Sequence, residues 1–314
     1  MFQFPQINNQ YLYTTNYSKY EESLCKLETK CLFNLSLEGK HFISSTYVNP
    51  SRSPFLKTCI SIMYIGEKIE DIIDRIIFDK LYIEEYKVVY INVEEEELGF
   101  HERRSIEKAI GLNILGEYNL KDPKISFGIT KLKDKWIFGE LEVNDSKWLS
   151  HNIKPFSYSN ALKVNVCRAV VNIATGNNEN CKVIDPCCGI GTVLIEALSM
   201  GIDIKGYEIN PSIGYNAIRN LSYFGYEDII TIGDMTLIEE TYDVAIIDLP
   251  YGIFTQITAE EQLAIILSAR KMAKKLILIT FDNMEAEIKA CGFNIKDSCT
   301  ISKGNFVRYV SICI

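Results

Sequence analysis

Long apolar runs are missing from this 314-residue chain. No uncharged stretch approaches the ~20 residues that cross a bilayer. The opening MFQFPQINNQ has neither the basic start nor the apolar core of a secretory signal. Both absences argue against a membrane protein and point to the cytoplasm. Histidine is scarce, at three residues (His41, His101, His151), and although there are 10 cysteines, no CxxC pair occurs. A bound metal is therefore not expected, and the thiols read as small buried hydrophobes. The adjacent pair Cys187–Cys188 suits neither a metal clamp nor an easy disulfide. An excess of positive charge is also lacking: the net charge is −8, with −4 in residues 1–150 and −4 in 151–314. Bulk electrostatics do not nominate a nucleic-acid binder, so any such site has to be a local patch. Neither an internal repeat nor a low-complexity tract is present.

What the chain does have is an ordinary globular balance, 47% hydrophobic and 24% charged, at a length that predicts two domains or three small ones. In the first half, 11–16 reads as a strand and 19–33 as a helix. Ile69, Ile72, Ile73, Ile76 and Ile77 recur at helical spacing and predict a helix over 66–79. A strand at 87–93, a helix over 102–115 and a hairpin of 125–131 with 135–143 follow. The run EEEE at 94–97 reads as a solvated turn. Around 144–160 the sequence turns polar and aperiodic, which places the main boundary there. Beyond a helix near 160–174, strands and helices alternate: strands at 182–185, 203–207, 229–232, 243–247 and 275–280, with helices at 192–200, 211–224, 259–273 and 283–291. The segments 293–299 and 306–313 close the chain as an antiparallel pair. Such alternation predicts an α/β fold with a mostly parallel sheet covered on both faces.

The chemistry concentrates where those strands end. VIDPCCGIGTVLIEAL, 183–198, runs from an apolar strand through a glycine-containing loop into a helix. It is not GxGxxG and has no GK[ST], so a phosphate cradle is disfavoured, and Asp185 would repel a phosphate. Alone, this is also the sequence of a tight turn without a ligand. The next strand ends in Glu208, 23 residues after Asp185, where a carboxylate can accept both hydroxyls of a ribose. The third ends in Gly233-Asp234-Met235: Asp234 can accept from an adenine amine and Met235 can pack on its ring. Three acidic strand ends imply an adenosine with a positive moiety and no polyphosphate, which S-adenosylmethionine fits. The fourth strand ends in Asp248-Leu249-Pro250-Tyr251-Gly252. The Asp248 carboxylate and a backbone carbonyl from 249 or 250 are two acceptors for the two N–H groups of an exocyclic base amine. Tyr251 is a flat face for the unstacked base, worth ~1–3 kcal/mol.

These residues carry a resemblance. DPCCGIGT, GYEINP, GDM and DLPYG resemble the successive motifs of the class I S-adenosylmethionine-dependent methyltransferases, the last being similar to the amino-methylation motif [ND]PP[FYW]. KPFSYSNALKVNVCRAVVNIA, 154–174, resembles the segment leading into that fold in the tRNA guanine-N2 enzymes that carry a THUMP domain, and IGLNILGEYNLKDPKISFGI, 110–129, is similar to the THUMP core. The likeness is strongest over 154–252. It implies a Rossmann-like methyltransferase domain at 166–314, a linker at 146–165, a THUMP-like RNA-binding domain at 56–145 and a ferredoxin-like subdomain at 1–55. It implies cofactor contacts from Asp185, Cys187, Gly189, Gly191, Thr192, Glu208, Ile209, Asp234, Met235 and Asp248, and an amine site made of Asp248, Leu249, Pro250 and Tyr251. Leu249 departs from the family pattern, which has proline there.

The implied partner is tRNA, rather than DNA. Local charge agrees: Lys121, Lys124, Lys131, Lys133 and Lys135 face only Asp122 and Asp134 within fifteen residues, and Arg103, Arg104 and Lys108 precede them. With Lys154 these are the candidate phosphate ligands, although a lysine-rich hairpin is also what a plain solvated face looks like. Methylation of adenine-N6, of an rRNA guanine or of a protein glutamine uses the same tetrapeptide type, and a non-catalytic RNA-binding protein with a vestigial pocket is the reading from another class. A monomer and a weak dimer are equally compatible with the sequence.

Overall fold

The computed structural model describes residues 9–93, 98–158, 161–178, 180–250, 257–303 and 306–314. The chain divides into two compact units, one of residues 1–16 and 37–145, the other of 17–36 and 146–314. Helix α1 (Glu22–Phe33) therefore belongs to the second unit although it precedes most of the first.

The first unit is built on one six-stranded sheet. Its strands are β1 (Tyr11–Thr15), β2 (His41–Ser44), β3 (Leu56–Gly66), β4 (Tyr86–Tyr90), β5 (Ile125–Leu132) and β6 (Lys135–Val143), in the order β2-β1-β3-β6-β5-β4. All pairings are antiparallel except β4 with β5. Helix α2 (Ile69–Phe78) follows β3, and α3 (Phe100–Gly111) lies in the β4–β5 crossover that parallel strands require. Ile72 and Ile76 of the isoleucine stripe are fully buried against Phe127, Phe138 and Tyr64, whereas Ile77 at the stripe's margin is exposed. The Asp71 carboxylate accepts from the Glu67 and Lys68 N–H groups, so α2 starts at Ile69 rather than at Gly66. Gly139 is obligatory on β6, since a Cβ there would sit 1.9 Å from the Ser61 carbonyl oxygen. A sheet runs continuously across the position 55/56 at which the sequence suggested a boundary. Strands β2 and β3 went unread, and β3 is the centre of the sheet. Its core-facing run CISIMY is apolar on both faces and lacks the alternation that marks a half-buried strand.

The second unit carries a seven-stranded sheet of order β12-β13-β11-β10-β7-β8-β9, from β7 (Val183–Asp185), β8 (Ile204–Glu208), β9 (Ile230–Ile232), β10 (Tyr242–Asp248), β11 (Ala273–Thr280), β12 (Ile295–Lys303) and β13 (Phe306–Cys313). Strands β7 to β11 are parallel and β13 returns antiparallel beside β11, giving the expected mostly parallel sheet with a terminal antiparallel pair. Its helices, besides α1, are α4 (Val164–Thr175), α5 (Thr192–Ser199), α6 (Pro211–Tyr223), α7 (Ala259–Met272) and α8 (Glu285–Ala290). The stretch 146–158 is packed onto this unit rather than spanning as a free linker. It forms a 3-10 helix at Lys147–Ile153, buries His151 on the Glu196 carboxylate, and bonds through Phe156 to Asn220. Arg168 donates to the other oxygen of Glu196.

Helix α1 packs on α4 and β12. Between the two helices the buried Glu28 accepts from Asn172 Nδ2 at 2.7 Å, with Asn172 fully enclosed. Removing one partner of a buried hydrogen-bonded carboxylate costs about 1–3 kcal/mol. Asn172→Ala should destabilise the second unit by that amount, read from urea unfolding followed by circular dichroism.

Candidate active site

In a parallel sheet, paired residues share a face and faces alternate along each strand. Asp185 at the end of β7 pairs with Gly206, two residues before Glu208 at the end of β8. Ala245 of β10 pairs with Ile184, which sets Ile246 level with Asp185 and Asp248 two residues further on. Glu208 pairs with Ile232 of β9, two residues before Asp234. Register therefore turns Asp248, Asp185 and Glu208 to one side of the sheet, at the carboxyl ends of three neighbouring strands, with Asp234 just past the fourth. The chain order reverses between β7 and β10, and such a reversal opens the crevice in which open α/β sheets bind ligands. Asp185 and Asp248 flank it.

The loop between β7 and α5 closes on this edge. Gly189 and Gly191 take positive φ, 54° and 79°, and Gly191 precedes the first turn of α5. Glu208 holds the loop from the next strand: its Oε2 accepts from the Gly189 N–H at 3.0 Å and its Oε1 from the Asn210 N–H at 2.8 Å. Each oxygen keeps a lone pair, so Glu208 is a loop clamp already engaged by backbone and still able to accept. The Cys187 N–H donates to Asp185 Oδ1, and Cys187 Sγ lies 3.6 Å from Met235 Sδ. Burial pushes the Cys187 thiol up, and all four carboxylates, Asp185, Glu208, Asp248 and Asp234, add to the push. One side chain thus feels every acid the sequence singled out. Asp234 itself caps a short 3-10 turn by accepting from the Thr236 N–H and is exposed. Ile209 is also exposed.

Two buried oxygens at this edge have no hydrogen-bond partner among the described residues: Asp248 Oδ1 and Thr192 Oγ1. Burial raises Asp185 to about 8, with Asp248 and Glu208 adding to the rise against the Cys187 N–H. Burial raises Asp248 to about 6, opposed by the Arg308 guanidinium. A positive charge brought beside either carboxyl would favour its ionised form and oppose the rise. Leu249 is buried, and its N–H, which a proline would lack, donates to the Ile279 carbonyl at 2.9 Å, extending the β10–β11 ladder by one residue. Tyr251 lies outside the described residues.

The expected phosphate ligands separate into two groups. Lys131, Lys133 and Lys135 surround the tight β5–β6 turn, and Lys133 adopts a left-handed φ of 54°. Lys131 and Lys133 line a groove of about 630 Å³ with Tyr90, Trp136 and Asn92. Lys121 is exposed. Lys124 pairs with Glu85, and Arg104 pairs with Glu107 while lying over the Phe100 ring. Arg103 is half-buried on α3. Lys154 belongs to the second unit, half-buried, with its ammonium pushed down by burial.

Sequence reading missed Asn220 and Gln262. Asn220 sits on the buried stripe of α6 with Gly214, Ala217 and Leu221. It donates to the Ile190 carbonyl of the glycine loop and both donates to and accepts from Phe156. A polar residue on an apolar stripe was the available signal. Gln262 Nε2 donates to the Pro250 carbonyl at 2.9 Å. Nothing in its exposed-looking helical context announces that.

Residues 151–285 match the sequence profile of the UPF0020 family, described as RMKL-like, methyltransferase domain. The chain is 32% identical over 170 residues to a tRNA (guanine(10)-N2)-dimethyltransferase of Pyrococcus abyssi, covering 49% of this chain and 50% of that one. It is 26% identical over 231 residues to the protein of the same name from Methanocaldococcus jannaschii, covering 61% and 64%. The chain thus spans about half the length of the first relative and less than two thirds of the second. Among solved structures, TrmN from Thermus thermophilus is similar over 97% of this chain and 99% of that one, with 13% identity and a TM-score of 0.47.

A carboxyl whose folded pKa is raised binds a proton that the unfolded chain has released, so its contribution to stability is full below the unfolded value and is lost as pH climbs through the folded one. Asp185 and Asp248 act this way through about 8 and about 6. The melting temperature should fall between about pH 4 and 8. Asp185→Asn should flatten the upper part of that fall in a calorimetric pH series.

Proposed function

We propose, on the premise that residues 151–285 belong to the RMKL-like methyltransferase-domain family UPF0020, that this protein transfers a methyl group from S-adenosylmethionine to the exocyclic N2 amine of a guanosine in tRNA. The observation that carries the proposal is the gathering of Asp185, Glu208, Asp234 and Asp248 around Cys187 at adjacent strand ends, with the DLPY tetrapeptide at the last of them. The donor set fits the cofactor. Buried carboxyls cut off from water would gain from its positive charges, which favour their ionised form, and the partnerless Thr192 hydroxyl and Asp248 oxygen call for ligand groups. When bound, S-adenosylmethionine supplies a methyl group already attached to a good leaving group.

The chain's own residues then have to bind and orient. Asp185 and Glu208 would hold the amino acid and ribose portions, and Met235, whose sulfur lies beside that of Cys187, would pack on the adenine with Asp234 as its acceptor. Asp248 accepts from one N–H of the guanine amine and a backbone carbonyl of the tetrapeptide from the other, which directs the nitrogen lone pair at the methyl for in-line attack. The methyl would pass to the amine nitrogen with a neutral thioether leaving, and Asp248, raised to about 6 by burial, would take the proton the amine releases. On this reading Tyr251 stacks the extruded base, offsetting the few kcal/mol that unstacking costs.

The tRNA assignment draws on the names of the curated relatives and on the lysine-bearing groove of the first unit, where Tyr90 and Trp136 stand beside Lys131 and Lys133. Aromatic faces beside cations are what unpaired nucleotides need, and this region fills the role that a THUMP domain fills in the resembling enzymes. A cytoplasmic setting goes with such a substrate. Among the described residues no helix is long and apolar enough to cross a membrane.

Asp248→Ala should abolish methyl transfer to a tRNA transcript bearing guanosine 10 while leaving calorimetric binding of S-adenosylmethionine measurable; transfer at the wild-type rate defeats the assignment. Replacing Lys131 and Lys133 together by Gln should weaken tRNA binding and make log Kd against log salt shallower by about 1 to 2, at roughly 0.7–0.9 for each phosphate that is no longer neutralised.

A further inference from the structure

The tetrapeptide at 248–251 offers two backbone carbonyls to an incoming amine, those of Leu249 and Pro250, and the structure treats them differently. The Leu249 N–H is fixed to the Ile279 carbonyl and its side chain is buried with Ile266, Leu278 and their neighbours. The Pro250 carbonyl takes the Gln262 amide from α7. The base of that helix is itself held. Thr258 and Glu261 cap it reciprocally, the Thr258 N–H donating to Glu261 Oε2 at 2.7 Å and the Glu261 N–H to Thr258 Oγ1 at 3.2 Å. The Gln262 N–H then donates to the Thr258 carbonyl, fixing the backbone from which the side chain reaches back twelve residues.

We infer that Gln262 is a positioning residue: by engaging the Pro250 carbonyl it pins the 249–250 turn that presents the backbone acceptor beside Asp248. The inference rests on the amine-methylation reading above and adds to it the device that holds the acceptor in place. A donor arriving at Pro250 has to compete with an amide already 2.9 Å away. Leu249, held from the β11 side by its N–H and from beneath by its buried side chain, has no freedom to turn its carbonyl away. Proline at 249 would fix φ by its ring. Here a ladder hydrogen bond on one side and a glutamine on the other supply the rigidity instead, which accounts for a leucine at this position.

The test uses the full chain and two variants, Gln262→Met, which keeps length and loses the donor, and Gln262→Glu, which sets a carboxylate against the carbonyl. Gln262 is partly exposed, so both are expected to fold. The first readout is single-turnover methyl transfer to a tRNA transcript. Gln262→Met should slow it about tenfold or more, with the Kd for S-adenosylmethionine and the KM for tRNA within about twofold of wild type, because geometry at the reacting atoms and not binding is lost. The second readout needs no substrate: backbone amide exchange at Leu249 should be faster in both variants. Transfer by Gln262→Met within about twofold of wild type overturns the inference. Unchanged exchange at Leu249 overturns it whether or not methyl transfer is seen. Wild-type protein that methylates no tRNA, together with faster exchange in the variants, overturns the substrate reading and leaves the pinning of the turn standing.

Discussion

Everything at the candidate site depends on strand register in the second unit. Because residues two apart share a face, the pairings Asp185 with Gly206 and Glu208 with Ile232 send successive acidic strand ends to the same side of the sheet. A slip of one residue in any of these short strands would turn one carboxylate to the opposite layer, among apolar side chains with no partner. The registers are protected by what lies between the strands: Gly206 leaves room for Leu194 and Cys188, which a Cβ would strike at 2.6 and 3.3 Å. The packing of α5 and the positions of the acids are thus one constraint.

The same edge shows how burial is used chemically. Asp185 is 4% exposed, and its carboxyl is held at about 8 by the absence of water and by its neighbours. An isolated anion there would be expensive. A positive charge arriving beside it would favour the ionised form and relieve that cost. Glu208, tied to the Gly189 and Asn210 N–H groups, keeps the loop in the shape that makes this possible.

Much of this was legible in the sequence. The second unit's strands and helices lie within a few residues of their expected spans, because each βα unit there carries its own punctuation: an acidic strand end, a glycine or Asn-Pro turn, an apolar helix. The mostly parallel sheet with its antiparallel end followed from that alternation. The first unit was harder to read. β3 is buried on both faces and shows no period, and β2 is only four residues long. The excursion of α1 into the other unit could not be read at all, since a helix's apolar stripe says that it packs but not on what. At the site, the acids and glycines were visible by residue type. Asn220 and Gln262 act through single hydrogen bonds to backbone carbonyls thirty and twelve residues away, which no local pattern encodes.

The placement of α1 also bears on synthesis. Residues 17–36 leave the ribosome before any of residues 37–145, yet α4 and β12, on which the helix packs, are made only afterwards. The nascent chain must carry an amphipathic segment with Leu24, Leu27 and Leu32 unburied while the whole of the intervening unit is translated. Its later capture closes a loop of more than a hundred residues, an entropic cost that grows only slowly with length. Completion of the second unit therefore waits for the synthesis of residues 295–303, long after α1 itself has been made.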